Sequence, residues 1–472
     1  MELRKQDRVH FIGVGGVSMS ALAHALADRG YCVSGSDRGD SPRLEQLRRA
    51  GVQVWVGHHA EHVLDAEVVI YNTAIRPDNP ERAAAVAAGK PLYHRSEMLA
   101  WMLRGHVGLA VTGTHGKTTT SAMLGWIFEQ AGRDPVAFIG GDVNNWGSNY
   151  RLGAGRDIVF EACESDASFL AYHGCREVIS SIEQDHLDQH NSIEKLTEAF
   201  VDFAKLADPA GFIVWGADCA RTRSVIASSP ARTISFGLRP DADYSARDLR
   251  LNGATCDFEL LRHGESAGRL SLIVPGQHNV LNALAAIAAA EASGISFEVC
   301  RTALAAFQGT GRRFELLGEC DGLRVYDDYA HHPTEIRATL AAARHFGAKR
   351  IIAIFQPHLY SRTRDLMDEF ARAFTDADVV FINDIYAARE DPMPGVSAEE
   401  LVRRISAVEG NKPVSFVPSQ DDIVTQVQAL AQPGDLILTI GAGDIRQAGE
   451  TLAKSFCGSC SVKHETSSPA QS

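Results

Sequence analysis

The chain has 472 residues, 45% of them apolar, and a formal net charge of -13 at neutral pH. This length predicts about three domains of roughly 150 residues each, and the apolar content is ordinary for globular domains with their own cores. The acidic balance argues against non-specific binding to nucleic acid or to anionic membranes, although local basic pockets can still bind phosphate. We therefore expect no nucleic-acid partner.

Export and membrane insertion are not predicted either. The charged N-terminus leads directly into a Gly-rich turn at Gly13 and lacks the apolar segment of a signal peptide. No stretch approaches the ~20 apolar residues of a membrane span. The nine cysteines show no disulfide spacing, and Cys457 and Cys460 are interpreted as exposed tail residues, not as zinc ligands. We predict a soluble, cytoplasmic protein without membrane insertion, monomeric or weakly homo-oligomeric.

Strands, turns and helices alternate along the chain, which predicts an α/β fold class with parallel sheets covered by helices. One block ends near Arg104, the next near Thr310, and a polar, Ser-rich segment begins at Phe456. That segment lacks the residues of a core and is predicted to be disordered. The predicted strands are 9–12, one ending at 37, 106–112, 158–161, 177–182, 211–215, 324–327, 350–355, 378–382, 413–417 and 435–440, and the main predicted helices are 20–29, 119–131 and 280–292.

The strongest local signal is the sequence GTHGKTT over residues 113–119, between an apolar strand and a helix. This context is typical of a phosphate-binding loop, in which glycines let backbone N–H groups approach the phosphates and the helix N-terminus adds positive charge. Lys117 is predicted to reach the β- and γ-phosphates and the Thr118 hydroxyl to bind Mg²⁺. Val111 stands at the first glycine position of the usual pattern, so the loop is a shortened variant.

Two acidic segments follow predicted strands further along the chain. One contains Glu164 and the other contains His186. Open α/β sheets bind ligands at the carboxyl ends of their strands, so both segments are predicted to lie beside the phosphate loop. An oxygen from Glu164 suits Mg²⁺, whereas an imidazole is a less usual ligand for that ion. The alternative is that these residues are solvated ends of strands.

A second Gly-rich turn follows the opening strand, with Ser18 at the third glycine position of a dinucleotide-binding pattern and Asp37 at the end of the next strand. Alone, this turn would favour NAD and a dehydrogenase. The separate phosphate loop instead points to a nucleotide-linked substrate.

Taken together, these segments resemble the Mur ligases of bacterial cell-wall synthesis, in order from Phe11 to about Gly443. The matching segments are FIGVGGVSMS (11–20), SGSD (34–37), GTHGKTTT (113–120), ESDASF (164–169), DHLD (185–188), HNVLNALAA (278–286), GTGRRFE (309–315), DDYAHHPTEI (327–336) and FQPHLYSRTRDL (355–366). The resemblance implies an N-terminal Rossmann-like domain for the UDP-linked substrate (1–104), a central P-loop ATPase-type α/β domain for ATP and Mg²⁺ (105–310), a C-terminal Rossmann-like domain for the amino acid (311–455), and a disordered tail (456–472).

The implied activity is an ATP-dependent ligation of L-alanine to the carboxylate of UDP-N-acetylmuramate in peptidoglycan precursor synthesis. It proceeds through an acyl phosphate and gives ADP and phosphate. Three alternatives stay open: a murein-recycling relative that attaches a peptide, a non-catalytic nucleotide-binding scaffold, and the dehydrogenase suggested by the first turn.

The resemblance also assigns roles to individual residues. ATP binding falls to Gly113, Thr114, His115, Gly116, Lys117, Thr118, Thr119, His278, Asn279, Asn282, Arg313 and Asp328. Magnesium binding falls to Thr118, Glu164 and His186. Substrate binding falls to Gly13, Gly15, Gly16, Ser18, Asp37, His58, Thr73, His331, His358 and Arg362. Catalysis falls to Lys117, Glu164, His186, Arg313 and His331, with His186 and His331 as candidates for the base that takes the proton of the amine.

Some of these residues have structural alternatives. His278 and the two asparagines would serve equally as caps of the helix that begins there, His331 as a turn residue before Pro333, and Arg313 as a surface charge. Two departures from the family pattern stand out. Leu359 occupies a position where many members carry Arg, which shifts amino-acid recognition towards Arg362, and Cys163 replaces a common acid.

Overall fold

The structure is a computed structural model that describes residues 1–185 and 187–457, without the side chains of residues 187, 188 and 457. It divides into two compact units. The first unit holds Met1–Arg250 and Thr255–Gly311, and the second holds Leu251–Ala254 and the chain from Arg312. The predictions for His186 and for Cys460 fall outside the described residues.

The first sheet of the first unit has five parallel strands in the order β3-β2-β1-β4-β5. This is the order of the first five strands of a Rossmann-like sheet, and its reversal between β1 and β4 places a ligand site at the carboxyl end of β1. Its elements are β1 (Arg8–Ile12), α1 (Val17–Asp28), β2 (Cys32–Asp37), α2 (Pro42–Arg49), β3 (Gln53–Val56), β4 (Val68–Tyr71), α3 (Pro80–Ala87), β5 (Leu92–His94) and α4 (Arg95–Met102).

The second sheet of this unit has ten strands in the order β15-β14-β13-β12-β11-β10-β6-β9-β7-β8. The central strands are parallel, while β14 pairs with β15 and β7 pairs with β8 in antiparallel fashion. Its strands are β6 (Val107–Thr112), β7 (Val136–Val143), β8 (Ser148–Arg151), β9 (Asp157–Glu161), β10 (Arg176–Ile179), β11 (Phe212–Gly216), β12 (Arg232–Gly237), β13 (Tyr244–Asn252), β14 (Thr255–Arg262) and β15 (Glu265–Leu272).

In the part of the chain that the structure describes, six α-helices accompany the second sheet, and α5 packs against the alanine-rich α9. The small side chains of α9 let the two helices approach closely and bring the start of α9 to the start of α5. The helices are α5 (Lys117–Gln130), α6 (Leu187–His190), α7 (Ile193–Lys205), α8 (Ala220–Ile226), α9 (Gln277–Ala292) and α10 (Phe297–Ala305).

The second unit is built on a six-stranded sheet in the order β16-β17-β21-β18-β19-β20, parallel except for the β16–β17 pair. Separate apolar clusters cover its two faces. Its elements are β16 (Glu315–Cys320), β17 (Leu323–Asp328), α11 (Pro333–Arg344), β18 (Arg350–Phe355), α12 (Tyr360–Asp365), α13 (Met367–Ala371), β19 (Val379–Ile382), α14 (Ala398–Glu409), β20 (Val414–Phe416), α15 (Gln420–Leu430), β21 (Asp435–Ile440) and α16 (Arg446–Cys457).

The predicted α/β class is confirmed, and the predicted bounds of β18 and β21 match those of the structure. Two element predictions need correction. The strand predicted over 177–182 ends at Ile179, because the following residues bond to the phosphate loop. The disordered tail was predicted from Phe456, but α16 continues through Cys457 and Phe456 packs on an apolar cluster; residues 458–472 lie outside the described residues. Within the described ranges, no helix combines the length and apolar character needed to cross a membrane.

Candidate functional site

The phosphate loop lies between the end of β6 and the start of α5, and two of its glycines are required there. Gly113 and Gly116 have φ angles of 121° and 79°, in the left-handed region that favours glycine. A Cβ atom on Gly113 would lie 2.2 Å from the Ser180 hydroxyl oxygen, and one on Gly116 would lie 2.3 Å from Asn282 Oδ1. The loop is therefore pressed between the end of β10 and the start of α9.

Backbone hydrogen bonds fix the loop to the chain that follows β10. The Thr114 amide donates to the Ser181 carbonyl at 2.8 Å, and the Glu183 amide donates to the Thr114 hydroxyl at 2.8 Å. His115 Nε2 lies 3.4 Å from a carboxylate oxygen of Glu183. These contacts shape the loop before any phosphate binds.

A lysine, a hydroxyl and two carboxylates meet at the mouth of this loop. Lys117 Nζ donates to Glu164 Oε1 at 2.8 Å and to the Gly113 carbonyl at 2.6 Å. Burial opposes the lysine's charge, but Glu164 and Glu161 outweigh it and raise the pKa of Lys117. The Thr118 hydroxyl donates to Glu161 Oε2 at 2.7 Å. The cation therefore persists at neutral pH, ready to neutralise phosphate charge.

Glu161 was not among the residues predicted for the site. It is the last residue of β9, and it pairs in register with Val111 of β6, the strand that leads into the loop. An acid at the end of the strand beside the phosphate-loop strand is the signal that identifies it. Gly140 is a second omission, because a Cβ atom there would lie 2.1 Å from Glu161 Oε2 and 2.9 Å from the Thr118 hydroxyl oxygen.

His190 is a third omission, and it fixes the backbone of the acidic segment. Its Nε2 donates to the Glu164 carbonyl at 2.7 Å, and its side chain is buried. This bond ties α6 to the segment that carries Glu164.

The start of α9 brings the predicted adenine-side residues next to the loop. The Thr120 hydroxyl donates to Asn282 Oδ1 at 3.2 Å, and Asn282 Nδ2 donates to Asn279 Oδ1 at 3.0 Å. The helix is capped by Gly276 without a side-chain bond. None of His278, Asn279 and Asn282 is therefore the N-cap residue itself, and their role towards ATP stays a prediction.

The first Gly-rich turn is held by Asp37. The Gly13 amide donates to the Ser36 carbonyl at 2.8 Å, and the Gly15 amide donates to Asp37 Oδ2 at 2.8 Å. The amide of Arg38 occupies the other carboxylate oxygen at 2.7 Å. Asp37 thus shapes the turn, and Gly16 is the N-cap residue of α1, at the helix end whose amides favour an anion.

His58 belongs to a network centred on Glu81, which the sequence did not identify. The Ser36 hydroxyl donates to Glu81 at 2.5 Å and accepts from His58 Nδ1 at 2.9 Å. His10 and His62 donate to Glu81 at 3.2 Å and 2.7 Å. Burial would raise the pKa of Glu81, but these donors outweigh it and lower the pKa to about 2.

Because the single Ser36 proton goes to Glu81, the His58 proton lies on Nδ1 in the neutral ring. His58 Nε2 is then an acceptor for a substrate N–H group. Thr73 is used differently, since its hydroxyl donates to Asp166 and accepts from His94 Nε2 at 3.1 Å. Thr73 therefore links the loop after β4 to the acidic segment after β9.

In the second unit, Asp328 organises the turn that carries Arg313. The amides of Phe314 and Ala330 each donate to its carboxylate at 2.8 Å. Burial raises the pKa of Asp328 to about 6, against the opposing charge of Arg313. The Arg313 guanidinium lies 5.2 Å from the centre of the Tyr329 ring, so it is placed by an aromatic contact.

His331, His358 and Arg362 come together in the same unit. Arg362 Nη1 lies 3.2 Å from His358 Nδ1, and the rings of His331 and His358 are 6.2 Å apart. His331 Nδ1 donates to the Tyr329 carbonyl at 3.0 Å. Leu359 is buried with a φ angle of 70°, so its side chain belongs to the core of the unit.

The donor set around the loop fits magnesium. The Thr118 hydroxyl and the Glu161 and Glu164 carboxylates supply oxygen atoms alone, which is the chemistry that Mg²⁺ prefers. The predicted assignment of Thr118 and Glu164 to the ion stays a prediction, and Glu161 joins them as a candidate.

Comparison with known proteins matches each part of the chain to one family. Residues 8–107 match the catalytic domain of the Mur ligase family. Residues 111–290 match the Mur ligase middle domain. Residues 312–443 match the glutamate ligase domain of Mur ligases.

Individual relatives cover nearly the whole chain. The UDP-N-acetylmuramate–L-alanine ligase of Symbiobacterium thermophilum is 45% identical over 96% of this chain and 95% of its own. The ligase of the same name from a Geobacter species is 43% identical over 95% of this chain and 97% of its own. The crystal structure of the UDP-N-acetylmuramate–alanine ligase of Thermotoga maritima is similar with a TM-score of 0.82 at 29% identity, covering 96% of this chain and 99% of that one. The crystal structure of a murein peptide ligase from Psychrobacter arcticus is similar with a TM-score of 0.71 at 25% identity, and the match covers 97% of this chain and 100% of that one.

Proposed function

This chain belongs to the Mur ligase family, and from that premise we infer that it joins L-alanine to the carboxylate of UDP-N-acetylmuramate. The observation that carries this inference is the 43–45% identity to two L-alanine ligases over at least 95% of the chain. The structure adds a phosphate loop whose lysine and hydroxyl face two carboxylates. That arrangement suits transfer of a phosphoryl group to an acyl acceptor.

The first chemical step activates the carboxylate. One carboxylate oxygen of UDP-N-acetylmuramate attacks the γ-phosphorus of ATP, the bond to the β,γ-bridging oxygen breaks, and ADP leaves. Lys117 and the amides at the start of α5 neutralise the phosphate charge that is redistributed in this step. Thr118, Glu161 and Glu164 would hold Mg²⁺, which supplies further charge neutralisation at the phosphates when bound.

The second step forms the amide bond. The amine of alanine attacks the acyl carbon, the bond from that carbon to the phosphate oxygen breaks, and inorganic phosphate leaves. The amine loses its proton before or during the attack. We assign alanine recognition to His331, His358 and Arg362, whose cationic and imidazole groups suit the carboxylate of an amino acid, and phosphate contact to Arg313.

The nucleotide-sugar is assigned to the first sheet. The amides at the start of α1, behind Gly13, Gly15 and Gly16, suit the diphosphate. The acceptor nitrogen of His58 suits an N–H group of the substrate, and Ser18 lies on the first turn of the same helix.

The test is phosphate release from ATP and Mg²⁺ with UDP-N-acetylmuramate and one amine at a time. The proposal requires release that depends on both UDP-N-acetylmuramate and L-alanine, with a lower kcat/KM for glycine and for the tripeptide of the recycling relatives. A preference for the tripeptide would assign the chain to peptide recycling. Tight ATP binding without release for any amine would favour the scaffold, and binding of NAD with hydride transfer would favour the dehydrogenase.

A further inference from the structure

A cavity of about 180 Å³ in the first unit is lined by residues of α1, α4, β7 and the end of β9. Ser18 lines it on one side, Gly140 and Glu161 line it on another, and Arg95 and Cys163 complete the polar part of its wall. The remaining wall is apolar. Ligand sites for whole small molecules usually measure about 300–1,000 Å³, so this cavity fits one arm of a larger ligand.

Arg95 contributes a poorly satisfied cation to this cavity. It is the first residue of α4, directly after β5, and its side chain is only 16% exposed. Its one ion pair among the described residues is with Asp166 at 3.9 Å, and no hydrogen bond from its guanidinium is found there. A guanidinium has five N–H donors in a planar fork that matches a carboxylate. A largely buried arginine with so few contacts is suited to an anionic ligand.

The other polar residues of the wall leave that cation available. Cys163 supplies a thiol to this wall, and not a carboxylate. Glu161 also lines the cavity, but one of its oxygens accepts from the Thr118 hydroxyl at 2.7 Å. Asp166 is shared with the Thr73 hydroxyl and the Ser168 amide. The nearby acids thus have partners other than Arg95.

We propose that Arg95 binds the lactyl carboxylate of the acceptor sugar in this cavity and directs it towards the phosphate loop. The inference rests on the proposed function, because that function supplies a substrate with a diphosphate at one end and a reactive carboxylate at the other. The wall of the cavity contains Ser18 at the start of α1 and also Glu161, whose carboxylate accepts from the Thr118 hydroxyl of the phosphate loop. Its size accommodates a lactyl arm, while the sugar and the nucleotide lie outside it.

The binding of two ligands that differ in the lactyl arm tests this assignment. UDP-N-acetylglucosamine lacks that arm and is otherwise the same nucleotide-sugar as UDP-N-acetylmuramate. Arg95→Gln and Arg95→Ala are expected to weaken UDP-N-acetylmuramate binding by about 10- to 100-fold, the worth of a charge-assisted hydrogen-bonded pair. Binding of UDP-N-acetylglucosamine is expected to change by less than about 3-fold, since it offers no carboxylate. Titration calorimetry of the full chain without ATP measures both.

Asp166→Asn is the matched control, because it removes the ion-pair partner of Arg95 and keeps the guanidinium. If Arg95 served only to pair with Asp166, both substitutions would weaken the two ligands equally, and that result would overturn the proposal. Arg95→Lys keeps the charge without the planar fork and is expected to recover part of the selectivity. A variant that unfolds would lose the binding of both ligands, and circular dichroism identifies such a variant. In that case the selectivity of Arg95→Lys between the two ligands decides the question.

Failure of this inference is distinguishable from failure of the proposed function. The wild-type chain reports the function through phosphate release that depends on UDP-N-acetylmuramate and L-alanine. Release by the wild type together with equal loss of both ligands in Arg95→Gln would overturn the role of Arg95 alone.

Discussion

Replacing Gly140 with alanine is expected to separate the Thr118 hydroxyl from Glu161 while preserving the fold. The new Cβ atom would lie 2.1 Å from Glu161 Oε2 and 2.9 Å from Thr118 Oγ1, closer than real Cβ contacts. The φ angle of Gly140 is outside the left-handed region, so alanine brings no backbone strain. The Glu161 carboxylate is the flexible end of its side chain and moves away at little cost. The loss is then one charge-assisted hydrogen bond at the phosphate loop, about 1.5–3 kcal/mol.

This loss corresponds to about a 10- to 100-fold lower kcat, because the pair lies at the mouth of the phosphate loop. Gly141→Ala is the matched control. Its Cβ atom would lie 3.4 Å from Thr118 Cγ2, near ordinary van der Waals contact. Steady-state phosphate release and thermal melting of both variants make the comparison. Equal kcat values for the two variants, or a collapse of the melting temperature in Gly140→Ala alone, would refute the reasoning.

Three further substitutions test other parts of the account. Lys117→Ala is expected to abolish phosphate release and to lower stability by about 3–5 kcal/mol, because Glu164 is 1% exposed and loses its cation; release above one hundredth of wild type would contradict this. The pKa of Glu81 is about 2 in the folded protein, against an ordinary 4.5. Ionised Glu81 therefore adds about 3 kcal/mol to the free energy of unfolding above pH 4.5, and this stabilisation is lost as the pH falls towards 2. The free energy of unfolding, measured with urea from pH 6 to 2, should therefore depend less on pH in Glu81→Gln than in the wild type. The same pH dependence in both proteins would count against the network. Arg446→Ala should lower the melting temperature of the second unit, since it removes two hydrogen bonds to Glu315 at 2.7 Å and 2.9 Å, worth about 1–3 kcal/mol; an unchanged melting curve would exclude that role.

Apolar strands of the parallel sheets were predictable from the sequence because they are buried on both faces. The strands 350–355 and 435–440 read as short apolar runs, and the structure confirms their bounds. The antiparallel hairpin of β14 and β15 was missed. Its polar and apolar residues alternate and give no continuous run, and its turn at His263 and Gly264 lacks the usual two-residue signature.

The candidate site was predictable where a loop's own glycines and lysine define it. Gly113, Gly116 and Lys117 could be identified because their spacing alone indicates a phosphate loop. Glu161 was missed because its position depends on the register of β9 against β6, which a single sequence does not reveal.

Glu81 and Arg95 could not be identified from the sequence either, because their contacts depend on the fold. Glu81 is 71 residues from His10, 45 from Ser36 and 19 from His62, the side chains it accepts from. Arg95 follows a strand of three residues and carries no motif of its own. Both residues became apparent only through the burial and contacts of their side chains.

The central claim is that the carboxylate is activated as an acyl phosphate, and transfer of an oxygen isotope tests it most directly. UDP-N-acetylmuramate labelled with ¹⁸O in both carboxylate oxygens is turned over with ATP, Mg²⁺ and L-alanine, and the released phosphate is examined by mass spectrometry. The account predicts that each phosphate carries one ¹⁸O atom and that the other remains in the amide carbonyl. Unlabelled phosphate released together with the amide product would contradict the account.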